Sequence, residues 1–118
     1  MQIKVGTDIV NIERIESSIG KFGNKFLERF LKKSEIEAVK STESIAGYWA
    51  AKEAVSKALG CGIGKELSFL DIEIKKSISG APFFQLSSTK YAIKSSSLSI
   101  SHDGGFAIAV VAIVLENI

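Results

Sequence analysis

Four places in this chain carry residue types that could do chemistry: Asp8 in Gly6-Thr7-Asp8, the pair Glu53 and Lys57, the glycines Gly60, Gly62 and Gly64, and His102. Asp8 follows a strand-like start and a glycine at the expected mouth of a helix, where a carboxylate could cap the helix or bind a hard cation. Glu53 and Lys57 are four residues apart, hence one turn apart on one helix face, a spacing that as a surface ion pair is worth only ~0.2–0.5 kcal/mol. Two features point beyond that. The surrounding alanines let neighbouring elements come close, and Trp49 lies one turn before Glu53, so this face is not simply solvated. His102 is the only histidine; at a strand end it could be a satisfied structural residue or a ligand. The three glycines follow a helix, whereas a phosphate cradle precedes a helix N-terminus, so they form no P-loop. No G-x-S-x-G, H-E-x-x-H or EF-hand pattern occurs. Two separated carboxylates, a lysine and a histidine fit a magnesium site handling a phosphate ester, because Mg²⁺ takes one or two carboxylates together with substrate phosphates and water.

The elements that must position these groups follow from periodicity. Gln2 to Val5 reads as a short strand that Gly6-Thr7-Asp8 breaks, with Thr7 or Asp8 capping a helix whose apolar face is Ile9, Ile12, Ile15 and Ile19. Phe22, Phe26, Leu27, Phe30 and Leu31 mark a second short helix, and Ser34 with Glu37 reads as the capping box of another. Ile45 to Leu59, rich in alanine and closed by Gly60, is the strongest helix. The period then changes. Leu70, Ile72 and Ile74 alternate as in a half-buried strand, Ser79-Gly80 reads as a turn, and Pro82 to Leu86 as the returning strand. The polar stretch Ser87 to Ser97 admits a short helix through Tyr91, Ala92 and Ile93. Leu98 to Ser101 and Phe106 to Leu115 read as strands joined at Asp103-Gly104-Gly105. Helices first and strands later is an α+β order.

Bulk properties bound the function. The 118 residues suit one domain, taken as 1–118, and 46% apolar with 24% charged residues is a globular balance. A net charge of +2 with no long basic run argues against nucleic acid as a partner. Cys61 is the only cysteine, which excludes an intrachain disulfide and a cysteine-built metal site. The start lacks the apolar core of a signal peptide and no apolar run reaches membrane-span length, so a cytoplasmic protein without a membrane partner is expected.

The ordered set of motifs carries a resemblance. Gly6-Thr7-Asp8-Ile9-Val10 with Arg14-Ile15, then Phe26 to Leu31 with Ser34-Glu35, resemble the opening of the holo-acyl-carrier-protein synthases, the small bacterial 4′-phosphopantetheinyl transferases. Trp49-Ala50-Ala51-Lys52-Glu53-Ala54, Lys57-Ala58-Leu59-Gly60 and Gly62-Ile63-Gly64 are similar to the central signature of that family. Leu67 to Ile74, Gly80-Ala81-Pro82 and Ser99-Ile100-Ser101-His102 complete it, from about Ile3 to Val114. The resemblance implies the family's α+β fold, with N-terminal helices packed on a mostly antiparallel sheet. It implies transfer of the phosphopantetheine arm of coenzyme A to a serine of apo acyl carrier protein, for fatty acid biosynthesis, with release of adenosine 3′,5′-bisphosphate.

It further implies Asp8 and Glu53 as Mg²⁺ ligands, and Lys57, Gly60, Gly62 and His102 near coenzyme A. Asp8, Glu53 and Lys57 would be catalytic, Arg14 would dock the acidic carrier protein, and active sites would lie between the protomers of a homotrimer. The serine proton would pass to Glu53 or to a metal-held water. One position departs from the family: Tyr48 stands where relatives commonly have arginine. Any phosphate contact of that arginine would fall to Lys52, Lys57 or a neighbouring protomer's lysine, unless Tyr48 simply packs beside Trp49. Two other readings are a non-catalytic trimeric binding module on the same scaffold, and a broader transferase serving larger synthases, which predicts a roughly doubled chain.

Overall fold

The computed structural model describes residues 1–88 and 90–116. Strand β1 (Gln2–Asn11) does not stop at Gly6, because it pairs antiparallel with β5 (Phe106–Leu115) over its whole length, from Gln2 opposite Leu115 to Asn11 opposite Phe106. The Gly6-Thr7-Asp8 break is therefore corrected. Gly6 answers a close approach, not a turn: a Cβ there would overlap the Ala54 carbonyl oxygen and come within 2.7 Å of the Ala58 amide nitrogen. Ile9 belongs to this strand, and the helix that follows, α1 (Ile12–Phe22), is capped by Asn11, whose side chain accepts from the Glu13 amide at 2.9 Å. Neither Thr7 nor Asp8 caps it.

Two short helices, α2 (Asn24–Phe30) and α3 (Lys33–Ala38), lead to the long α4 (Thr42–Ala58). Phe26, Leu27, Phe30 and Leu31 are buried as their spacing requires, while Phe22 is exposed. The cap of α3 lies two residues earlier than expected: Glu35, not Glu37, accepts from the N-cap amide, that of Lys32, at 2.7 Å. Ser34 instead donates to Glu73 at 3.0 Å. Helix α4 is the expected alanine-rich helix, and Gly60, with φ of 81°, ends it in the left-handed conformation that favours glycine.

Chain reversal at Gly80 joins β2 (Ile72–Lys76) to β3 (Pro82–Leu86) as a separate two-stranded sheet. Leu70 lies just outside β2, in a single 3₁₀ turn, Phe69–Asp71. Strand β4 (Ile93–Asp103) starts well before Leu98, so no helix forms through Tyr91, Ala92 and Ile93; Thr89, within that expected polar stretch, lies outside the described residues. Gly104 and Gly105, both at positive φ, close the β4–β5 hairpin. The order β1-β5-β4 makes a fully antiparallel three-stranded sheet. The α+β class holds, but a strand comes first: helices are inserted between β1 and its partner β5.

Register assigns the two faces of that sheet. Gly6, Asp8 and Val10 lie opposite Val111, Ala109 and Ala107, which in turn lie opposite Leu98, Ile100 and His102. α4 packs on this face, with Ala46, Ala50, Ala51 and Ala54 fully buried. The other face presents Ile3, Val5, Ile9, Phe106, Ile108 and Val110, all between 40% and 67% exposed. Behind α4, Trp49 joins Phe26, Phe30 and Phe69 in an aromatic cluster with ring centroids 4.6 to 6.0 Å apart.

Two glycine substitutions separate close approach from mere helix propensity. Gly6→Ala drives a methyl into the α4 backbone and should cost about 3 kcal/mol or more. Gly20→Ala, with open space around it inside α1, should stabilise by about 0.5–1 kcal/mol. Urea unfolding of both reads the difference, and a Gly6→Ala chain as stable as its parent contradicts the packing.

Candidate active site

The contact at Gly6 delivers Asp8 to α4. Residues 6 and 8 share a face of β1, so where Gly6 touches Ala54 and Ala58, Asp8 meets the side chains flanking those alanines. Lys57, in the last turn of α4, donates to Asp8 Oδ1 at 2.8 Å. The Asp8 side chain is largely shielded, 14% exposed, and that of Lys57 is 51% exposed. The hydrogen bond to Asp8 is the main cause that holds the Lys57 ammonium above its ordinary pKa, with the charges of Asp8 and Glu53 adding to it. Glu53 is partly buried beside them. Burial raises its pKa first and the negative charge of Asp8 second, while Lys57 acts in the opposite direction. Two carboxylates close enough to repel, with one ammonium bonded to Asp8 and interacting with both, form a donor set suited to a hard cation that brings its remaining ligands as water or phosphate oxygens. Among the described residues no third His, Cys, Asp or Glu joins them.

Lys52 is not available to a phosphate. It is fully buried, and its Nζ donates to Glu35 Oε1 at 2.7 Å, to the Phe30 carbonyl at 2.6 Å and to the Phe69 carbonyl at 3.1 Å. Three donors meet three acceptors. Glu35 Oε2 accepts from the Ile74 amide at 2.8 Å, so the pair fastens α4, α2, α3 and β2 together. Desolvation lowers the Lys52 pKa, and Glu35 opposes that shift.

His102 lies elsewhere. It is on β4, at the opposite edge of the sheet from Asp8, so the central strand β5 lies between them and they are roughly 10 Å or more apart. There it lines a cavity with Tyr48, Ser44, Glu43, Lys76 and Gly80. Tyr48 is 4% exposed; it both packs in the core and borders this cavity. Burial, and then the charge of Glu35, push its phenol up, keeping it neutral.

Gly60 and Gly62, both at positive φ, shape the loop after α4, where the Cys61 and Gly62 amides turn back to the Ser56 carbonyl at 3.2 Å. Arg14 is exposed on α1. One chain thus brings Asp8, Glu53 and Lys57 together, with the glycine loop just beyond Lys57, and leaves His102 apart. Sequence reasoning missed the partnership of Glu35 with Lys52, which is set only by tertiary packing.

Comparison with known proteins bears on this arrangement. Residues 4–111 match the 4′-phosphopantetheinyl transferase superfamily. A holo-acyl-carrier-protein synthase of Sulfurovum sp. is 58% identical over 117 residues, covering 97% of this chain and 98% of that protein. One from Nautilia profundicola is 61% identical over 108 residues, covering 91% and 96%. The crystal structure of the Helicobacter pylori holo-acyl-carrier-protein synthase in complex with coenzyme A superposes with a TM-score of 0.89 at 57% identity, over 93% of this chain and 99% of that one.

Lys52→Met should strand Glu35 as an unpaired buried charge and cost about 3–5 kcal/mol. The double variant Lys52→Met/Glu35→Leu should recover most of that loss. Equilibrium unfolding measures both, and a single variant as stable as the double would mean that the pair is not coupled.

Proposed function

The chain belongs to the 4′-phosphopantetheinyl transferase superfamily as a holo-acyl-carrier-protein synthase, and we propose that Asp8, Glu53 and Lys57 are the residues with which it performs that reaction. The reaction moves the phosphopantetheine arm of coenzyme A to apo acyl carrier protein. The serine hydroxyl attacks the β-phosphate, the bond from that phosphorus to the bridging oxygen breaks, and adenosine 3′,5′-bisphosphate leaves. The observation that carries the assignment is the convergence of two repelling carboxylates and one ammonium at the contact of β1 with α4.

Asp8 and Glu53 would hold Mg²⁺, which when bound supplies positive charge against the pyrophosphate and the developing transition state. Lys57 sits where it can exchange part of its hold on Asp8 for the departing phosphate, adding charge stabilisation that grows as the bond breaks. The glycine loop, with no side chains at Gly60 and Gly62, lets backbone come close to the substrate. Arg14, exposed on α1, would meet the acidic carrier protein at the rim, where charge sets encounter and register.

The assembly we propose is a homotrimer with shared sites. Its support is the uncovered apolar face of the β1-β5-β4 sheet, Ile3, Val5, Ile9, Phe106, Ile108 and Val110, a continuous patch of the kind that marks an interface. α4 also covers the sheet between Asp8 and His102, so one coenzyme A would reach both edges only by spanning two protomers. No described helix is long and apolar enough to cross a membrane.

Intact-mass analysis tests the reaction. With Mg²⁺ and coenzyme A, apo acyl carrier protein should gain one phosphopantetheine, and a chelator should stop it. Asp8→Ala and Glu53→Ala should each cut turnover by about 100-fold or more with unchanged circular dichroism, while Arg14→Glu should raise KM for carrier protein and not for coenzyme A. Near-native turnover of both carboxylate variants at limiting Mg²⁺ contradicts the metal assignment.

Sedimentation tests the assembly. The parent chain should run as a trimer, and Val5→Lys, which charges the apolar face without touching the core, should yield a folded but inactive monomer. An active monomer at assay concentration contradicts shared sites.

A further inference from the structure

Gly6 against Ala54 and Ala58 sets how near α4 lies to β1, but a glycine and two methyl groups make a smooth contact. Nothing in it stops the helix from turning about its axis or sliding along the strand. The proposed metal site tolerates neither movement. A side-chain carboxylate stands about 6 Å from a helix axis, so a turn of about 20° would carry that of Glu53 through about 2 Å. A metal ligand must be held within about 0.5 Å. Something other than the sheet contact has to fix the angle at which α4 presents Glu53 to Asp8.

Lys52 meets that requirement from the preceding position. It is fully buried, and its Nζ donates to acceptors from three separate segments. These are the Phe30 carbonyl at the end of α2, at 2.6 Å, the Glu35 carboxylate on α3, at 2.7 Å, and the Phe69 carbonyl that opens the 3₁₀ turn, at 3.1 Å. Glu35 is itself held, because its two oxygens also accept from the Lys32 amide at 2.7 Å and the Ile74 amide at 2.8 Å. Successive helical residues differ in direction by about 100°, so fixing where Lys52 points fixes where Glu53 points. Stability alone does not call for charge here, since an apolar pair of similar volume is often as stable as a buried ion pair. What an apolar pair lacks is direction. Methyl and methylene groups pack over a range of helix rotations, whereas three hydrogen bonds to fixed acceptors allow one.

Resting on the proposed reading of the site, we infer that Lys52 is a positioning residue for the reaction: its hold on Phe30, Glu35 and Phe69 sets the rotation of α4 that turns the Glu53 carboxylate towards Asp8. It touches neither substrate nor metal and acts through Glu53.

Two variants separate position from stability, because they move the two in opposite directions. Lys52→Met/Glu35→Leu keeps a packed pair in the core and should retain most of the stability, yet it removes all three directional contacts. Glu35→Gln should lose stability, because it removes a buried charge and turns an amide group towards the Ile74 amide, yet it leaves an oxygen for each Lys52 donor. Mn²⁺ binding with coenzyme A present, read by electron paramagnetic resonance, and the kinetics of transfer to apo carrier protein are measured for both and for the parent. The double variant should bind Mn²⁺ about tenfold or more weakly and lose kcat by a similar factor, with KM for carrier protein unchanged. Glu35→Gln should stay near the parent in both. A pair that only stabilises predicts the reverse order, with affinity following stability. Lys52→Met/Glu35→Met supplies a second, more adaptable packing should the first double variant not fold. Parent-like Mn²⁺ affinity and kcat in a folded double variant, or a loss in Glu35→Gln as large as in the double, overturns the inference. If the parent binds Mn²⁺ and transfers the arm and the double variant does so equally, Lys52 alone is refuted; a parent that does neither refutes the site reading with it.

Discussion

Helix α4 can lie against β1 because Gly6 brings no side chain to their contact and Ala54 and Ala58 bring only methyl groups. This close approach sets the distance between strand and helix, and from it the rest of the site follows. Asp8 is two residues further along the same strand face, so its carboxylate reaches the helix surface beside Ala54 and Ala58, where Glu53 and Lys57 project one turn apart. A larger residue at position 6 would lift the helix and open the 2.8 Å contact between Asp8 and Lys57. The geometry that fits a hard cation is thus a by-product of small residues at a packing contact.

Electrostatic strain is divided between two places in α4 with opposite outcomes. At Lys52 the charge is buried and fully compensated, with Glu35 and two carbonyls taking all three donors, and the result is a rigid fastening of helices to β2. One residue along the helix, Glu53 is only partly buried, and burial first and the like charge of Asp8 second raise its pKa, with Lys57 acting in the opposite direction. Compensated charge holds the scaffold, while the repelling carboxylates are the ones we propose for metal and substrate. Neighbouring residues of one helix serve the two roles because they point to different sides of it.

Much of this was legible in residue types and order. The alanine-rich helix, the Pro82–Leu86 strand, the hairpin at Gly104-Gly105 and the aromatic stripe follow from period and turn chemistry, and the ordered motifs identified the family. The extent of β1 was not legible, because Ile9, Ile12, Ile15 and Ile19 have helical spacing and only pairing with β5, about a hundred residues away, keeps Ile9 in a strand. The sequence also hid the purpose of Gly6, which reads as a breaker until α4 is seen against it. Lys52 illustrates the same limit: it stands beside Glu53 in the signature, yet its burial and its partner Glu35 are set by tertiary packing. His102 was identified as a candidate by its chemistry, but its separation from Asp8 by the width of the sheet required the strand order.

The account stands on Asp8 and Glu53 forming one cation site at the β1–α4 contact, and cation binding tests that without relying on turnover. Mn²⁺, a hard divalent ion that accepts the same oxygen ligands, can be titrated into the chain with coenzyme A present while electron paramagnetic resonance reports the free ion. The account predicts one bound Mn²⁺ per protomer, displaced by Mg²⁺, and its loss in Glu53→Gln while the circular dichroism of the fold is retained. Undiminished Mn²⁺ binding in folded Glu53→Gln and Asp8→Asn variants would contradict it.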